Sequence, residues 1–260
     1  MADTTAAELA DTIDDAMLAK TRPPLGAMAL LGIAAGAQIG FGSIGYLVAQ
    51  AGGTPGGAVQ LLSGVAFSVG LMLVMVTGTQ LFTGNTMFVL PAAQDRLSIG
   101  ETLRDWSVVW IANLVGSIAV AALFVAAGGP QAIDGAVGAA ALKTATTKLG
   151  KDWVELIASG MLANMLVCLG VWMATGAKSI GGKIAAVIGP VALFVAAGFE
   201  HSVANMSLLP IAWGIDPQAV PIGAAAFNVA LATLGNILGG SVVAIVLAAG
   251  HRKLRQGTPT

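Results

Sequence analysis

Gly198-Phe199-Glu200-His201-Ser202-Val203-Ala204-Asn205 places a carboxylate and an imidazole in the middle of an apolar stretch that runs from about Ile184 to Trp213. The polar, glycine-bearing run Gly78-Thr79-Gln80-Leu81-Phe82-Thr83-Gly84-Asn85 interrupts a second stretch, about Gly57 to Ala93, that is too long for one straight membrane helix. Both helices are expected to break at these runs. In lipid every backbone polar group needs a partner, so non-helical backbone at membrane depth is tolerated only where it is buried in protein or lines a cavity. Two such breaks point to a pore or site near the bilayer midplane.

The rest of the chain fits a membrane setting. Hydrophobic residues make up 56% of the 260 and charged residues only 10%, against roughly a quarter charged in soluble domains; the mean hydropathy is +0.85. Thirty-five glycines imply helices that approach closely. A net charge of -1 argues against a nucleic-acid partner. The one cysteine, Cys168, lies in an apolar stretch, can form no intramolecular disulfide, and reads as packing.

Four further apolar groups, about Gly26 to Ala51, Trp106 to Ala127, Trp153 to Ala174 and Pro221 to Ala249, each have the length of a single span. The expectation is an all-α membrane protein of six transmembrane helices, broken in the second and the fifth. The third helices of the two halves echo one another, Asn113-Leu114-Val115-Gly116-Ser117 against Asn236-Ile237-Leu238-Gly239-Gly240. With three spans per half, the second half enters the membrane in the opposite sense, which gives two inverted three-helix repeats.

Residues 1–24 are acidic and polar and have no apolar core behind a basic region, so they do not read as a cleavable signal peptide. Leu9, Ile13 and Met17 recur every four residues among Asp11, Asp14, Asp15 and Lys20, the pattern of an amphipathic helix against protein or the membrane surface, with a solvated tail as the other reading. Residues 25–250 form the pore domain and 251–260 a C-terminal tail. With the N-terminus inside, nine positives (Lys20, Arg22, Arg96, Arg104, Lys178, Lys183, Arg252, Lys253 and Arg255) face inward against Lys143, Lys148 and Lys151 outside, so both termini are expected to be cytoplasmic. All three outer positives share one loop, which an anion-attracting mouth would explain.

A charge near the bilayer centre costs at least about 2.5–3.5 kcal/mol, so Glu200 and His201 need an offset. For Glu200 a structural polar clamp serves, with Asn164 and Asn228 of neighbouring spans as hydrogen-bond partners. The ordinary pKa of histidine, about 6.5, makes His201 at a helix break a credible proton donor. Other classes fit less well. An aquaporin-like channel for small neutral solutes is the alternative, but the sequence has no Asn-Pro-Ala motif. An ammonium channel wants paired histidines, and the second histidine, His251, lies in the tail. With two histidines, one cysteine and no clustered carboxylates, neither a metal site nor a nucleophile with its base can be assembled, so no metal, cofactor or enzyme activity is expected.

Five elements, in order and covering nearly the whole membrane region, resemble the formate/nitrite transporters. They are Gly78-x-x-Leu81-Phe82-Thr83-Gly84-Asn85, Asn113-Leu114-Val115-Gly116, Leu162-Ala163-Asn164-x-Leu166-Val167-Cys168-Leu169-x-Val171-Trp172, Gly198-Phe199-Glu200-His201-Ser202-Val203-Ala204-Asn205-Met206 and Thr233-Leu234-Gly235-Asn236-Ile237-x-Gly239-Gly240. One departure is that members often carry a proline in the stretch after the sixth-span asparagine, and Asn228-Val229-Ala230-Leu231-Ala232-Thr233 has none. The resemblance implies a homopentamer of aquaporin-like protomers in a bacterial-type inner membrane, each with its own pore for formate, nitrite or a similar small weak-acid anion. Carried over by position, Leu71 and Phe194 resemble constriction residues, Thr83 the hydroxyl of the broken second span, Lys148 the basic residue of the outer vestibule and His201 the central imidazole, with Asn164 and Asn228 as its polar surround. Helical periodicity leaves bundle core as the other reading of Leu71 and Phe194. The implied mechanism has Lys148 draw the anion in, low dielectric raise the acid's pKa, and a proton reach it by way of His201, so that the neutral acid passes Leu71 or Phe194.

Overall fold

The computed structural model describes residues 5–53 and 56–251, and these are helical with no strand. In chain order the helices are α1 (Ala6–Thr21), α2 (Leu25–Gln50), α3 (Gly57–Thr77), α4 (Phe82–Asn85), α5 (Val89–Ala93), α6 (Ile99–Ala126), α7 (Ala136–Leu149), α8 (Trp153–Gly176), α9 (Ile180–Ala196), α10 (Ser202–Ile215) and α11 (Ile222–Gly250), with single 3-10 turns at Thr86–Phe88 and Gly129–Gln131. Arg252, Lys253 and Arg255, counted above for orientation, and the rest of the expected tail beyond His251 lie outside the described residues.

Five helices, α2, α3, α6, α8 and α11, are long and apolar enough to cross a membrane. The remaining apolar group is divided between α9 and α10, of 17 and 14 residues, so neither reaches span length alone. Both expected breaks are present: residues 78–81 separate α3 from α4, and residues 197–201 separate α9 from α10. The third apolar group starts earlier than its hydropathy indicates. Ser98 caps α6 in a reciprocal capping box with Glu101, so Arg104 and Asp105 belong to the helix rather than to a preceding loop. Asp152 and Glu155 start α8 in the same way.

α2 packs between α3 and α6, α8 packs between α9 and α11, and α3 meets α9. Glycine makes the closest of these approaches possible. A Cβ at Gly116 of α6 would lie 1.9 Å from the Ile33 carbonyl oxygen of α2, and one at Gly239 of α11 would lie 2.1 Å from that of Met161 in α8. Backbone against backbone leaves no side chain to yield.

The amphipathic pattern at the N-terminus forms α1, which docks on protein. Ala10, Ile13 and Met17 are buried, and Leu9 covers Gly176 at the end of α8. Arg96 donates to both Asp14 and Asp15, the latter at 2.8 Å. Burial raises the Asp14 carboxyl above its ordinary value while the Arg96 guanidinium opposes the shift. At the end of α1, Lys20 Nζ donates to Asn85 Oδ1 at 3.3 Å and its carbonyl accepts from Gln80 Nε2 at 2.8 Å. Burial pushes the Lys20 ammonium down from 10.5 to about 8.

Two measurements follow from this packing. Gly116→Ala or Gly239→Ala should destabilise the detergent-solubilised protein by about 3 kcal/mol or more, the upper range of overpacking, and lower its melting temperature. Gly223→Ala, where a Cβ meets nothing within 4 Å, should melt as the parent does. For Lys20 the docked pKa lies below the ordinary value, so docked α1 holds fewer protons between about pH 8 and 10.5. Docking should therefore strengthen as pH rises through that window, with spin labels at Thr12 and Lys183 reporting a growing docked population, and Lys20→Met should remove this pH dependence.

Candidate functional site

The breaks free backbone groups in an apolar interior, and one asparagine serves each. Asn113 Oδ1 accepts from the Phe82 N–H at 2.8 Å, while its Nδ2 donates to the Gly32 and Gln80 carbonyls at 2.8 and 2.9 Å. Asn236 Oδ1 accepts from the Ser202 N–H at 2.9 Å, and its Nδ2 donates to the Gly160 and Glu200 carbonyls at 2.8 and 2.9 Å. Gly78 and Gly198, both at φ 70°, turn the chain out of α3 and α9 in the left-handed region that glycine enters freely. Gln80 and Glu200 hold matching places. Asn85 donates to the Gln80 side chain at 2.7 Å, and Asn205 donates to Glu200 at 2.6 Å.

His201 stands where the breaks meet. It is the N-cap of α10, and its Nδ1 accepts from the Ala204 N–H at 3.1 Å. That bond fixes the neutral tautomer: the ring proton is on Nε2, which donates to Thr83 Oγ1 at 3.0 Å. The Thr83 hydroxyl keeps its own proton for another acceptor. Phe194 stacks on the imidazole with centroids 5.6 Å apart, and Phe67 meets both rings edge-on. Leu71 is buried on α3 one turn beyond Phe67. Thr83 and His201 thus form a small polar patch, 0% and 2% exposed, with aromatic walls.

A cavity of about 310 Å³ opens onto His201 and is lined also by Tyr46, Thr144, Phe194 and all three lysines of the 143–151 segment. Glu200, fully buried, faces it with both oxygens occupied: Oε1 accepts from Lys151 Nζ at 2.7 Å, and Oε2 from Lys148 Nζ at 3.0 Å and from Asn205. Two ammoniums offset the carboxylate that hydropathy flagged as costly.

The expected partners of Glu200 are corrected by these contacts. Asn164 does not reach it; its Nδ2 donates to the Thr83 carbonyl, Thr86 Oγ1 and the Asn236 carbonyl, so it fastens the first break to α11. Asn228 is one step removed, accepting from Asn205 and donating to the Lys148 carbonyl at 3.0 Å. Both are committed to these other partners, and Asn205, inside the quoted motif, takes the place assigned to them. Cys168 packs against Thr86 and the Thr83 carbonyl at 3.6 Å, as a small buried side chain.

Phe67, Asn205 and the group around Lys20 escaped sequence reading. Phe67 carries no polar signal and resembles its apolar neighbours. On the other side of the Thr83–His201 patch, Lys20 with Gln80 and Asn85 forms a counterpart of the Lys148–Glu200 group. No carboxylate stands within ion-pair distance of Lys20 among the described residues.

This arrangement has relatives. The formate/nitrite transporter family model matches residues 7–250. The formate channel FocA of Haemophilus influenzae is 35% identical over 244 residues, which cover 86% of this chain and 85% of that protein. The nitrite transporter NirC of Escherichia coli is 34% identical over 212 residues, covering 80% and 77%. Among solved structures, a pentameric formate channel with formate bound superposes with a TM-score of 0.82 at 35% identity, covering 89% of this chain and 98% of that one. A family model spanning both helix breaks, relatives at this identity over most of their length and a shared fold place the chain in the formate/nitrite transporter family.

Proposed function

We propose that this multi-pass membrane protein conducts small weak-acid anions, formate or nitrite, and moves them across its driest point as the neutral acid. The observation that carries the reading is the pairing of a lysine-lined cavity with a buried, neutral Thr83–His201 patch between aromatic rings. The cavity recruits negative charge, which favours an anion over a neutral solute, and the aromatic walls beyond it exclude a hydrated ion. In this scheme the protein is a homopentamer in a bacterial-type inner membrane. Each aquaporin-like protomer has six spans in two inverted repeats, with α9 and α10 together counted as one. Residues 1–24 and 251–260 are cytoplasmic, and residues 25–250 hold the pore.

Lys148 gathers the anion at the outer vestibule, and Glu200 with Asn228 and Asn205 holds that lysine in place. Leaving water raises the pKa of the acid, because burial disfavours its charged form. Thr83 and the Nε2 proton of His201 offer hydrogen bonds at the patch, and Asn164 keeps Thr83 fixed. Phe194, with Phe67, and Leu71 then constrict the path. A second proton on His201 has to go to Nδ1, where it faces the Ala204 N–H, so the imidazolium gives up the cap of α10. Loss of an N-cap costs about 1 kcal/mol, less than the several kcal/mol of a bare carboxylate out of water. Burying the imidazolium's charge adds to that cost, so in this scheme the ring is charged only in passing, beside the anion that offsets it, and α10 restores the neutral ring afterwards.

Uptake of labelled formate into proteoliposomes tests the reading. Nitrite should compete and chloride should not, and an inward proton gradient should speed uptake; equal rates with and without the gradient would remove proton coupling. His201→Gln should keep the fold and lose uptake by about tenfold or more, as for a missing general acid. Its residual flux should lack the parent's rise toward acid pH. A normal pH profile in that variant would sink the relay.

A further inference from the structure

An apolar groove between α6, α10 and α11 shows no sign of an occupant, whereas the lysines at the cavity are tied into a charged cluster. Of these, Lys148 is the one that the family resemblance singles out. Lys151 has no assigned role, yet it makes the shorter ion pair. Its ammonium lies 2.7 Å from Glu200 Oε1, which accepts no other side chain, and 2.6 Å from the Gly198 carbonyl. Lys148 shares Oε2 with Asn205, at 3.0 Å against 2.6 Å.

We infer that Lys151 is the counter-charge of Glu200, leaving Lys148 with the one net positive charge that recruits the substrate anion at this mouth. The inference rests on the reading of the cavity as the anion's way in. Two ammoniums and one carboxylate sum to +1. Without Lys151 the cluster would be neutral, and the Lys148 ammonium would be consumed by the carboxylate beside it. Lys143 also lines the cavity but is exposed, so its field is screened by salt. The other helix break gives the comparison. There the place of Glu200 is taken by Gln80, held by the matching asparagines, and a single lysine, Lys20, leaves the same +1. A carboxylate at one break calls for a second cation, and an amide at the other does not. Lys151 is thus a positioning residue that sets the charge of the mouth, tied to the 197–201 break through Gly198.

The test separates charge from scaffolding by uptake into oriented proteoliposomes, with labelled formate supplied at the Lys148 side. Lys151→Gln should raise the half-saturating concentration about fivefold at low salt, leave the maximal rate within about twofold, and flatten the salt dependence. Lys151→Arg should retain the parent's half-saturation. The double variant Lys151→Gln with Glu200→Gln restores a net +1 and should recover most of the parent's half-saturation and salt dependence. Unchanged half-saturation in Lys151→Gln, or a double variant no better than the single one, would overturn the inference and leave Lys151 as a tie between α7–α8 and the break. If Lys151→Gln does not fold, the Arg and double variants still decide, since loss of recruitment in either one contradicts a role of charge alone. Failure of the parent to take up formate or nitrite would overturn the conduit reading itself and is read in the same experiment.

Discussion

Backbone released from a helix inside an apolar interior has to find its hydrogen bonds within the protein, and in this chain two asparagines meet that demand. Asn113 and Asn236 each accept one N–H and donate to two carbonyls, so each break is bound to the helix on its far side. An amide is the side chain suited to this, because it carries an acceptor and two donors without a charge to desolvate. The glycines at 116 and 239, one turn further along the same helices, bring those helices close enough for the amides to reach.

A matching scaffold carries different chemistry at its two ends. Gln80 and Glu200 occupy equivalent places, yet one is neutral and held by Asn85 beside Lys20, while the other is charged and held by Asn205 between Lys148 and Lys151. The difference continues inward. Thr83 from the first break hydrogen-bonds to His201 from the second, so the central patch is built by the meeting of the breaks and belongs to neither alone. Asn164, which joins Thr83 to the Asn236 carbonyl, completes that link.

His201 does two jobs with one ring. Its Nδ1 ends the exposed donor series at the start of α10, and that bond leaves Nε2 as the donor toward Thr83. Phe194 stacks on the ring and Phe67 meets it edge-on, so the cavity reaches the imidazole between aromatic side chains. A neutral imidazole in this position is cheap to bury, and a charged one is coupled to the first turn of a helix.

Sequence by itself determined the membrane setting, the positions of both helix breaks and the two residues, Glu200 and His201, whose burial demanded an explanation. It could do so because charge and backbone polarity are expensive in lipid, and an expensive residue stands out in an apolar run. The amphipathic spacing of Leu9, Ile13 and Met17 likewise gave α1, through the period of the helix. Only the tertiary structure decided who answers those demands. Lys148, Lys151 and Asn205 meet Glu200 in place of Asn164 and Asn228, Thr83 partners His201, and Phe67 meets the imidazole edge-on beside the stacked Phe194. Most of those partners come from segments distant in sequence, and a phenylalanine or asparagine facing the site costs no more in the sequence than one facing away, so no local signal sets it apart.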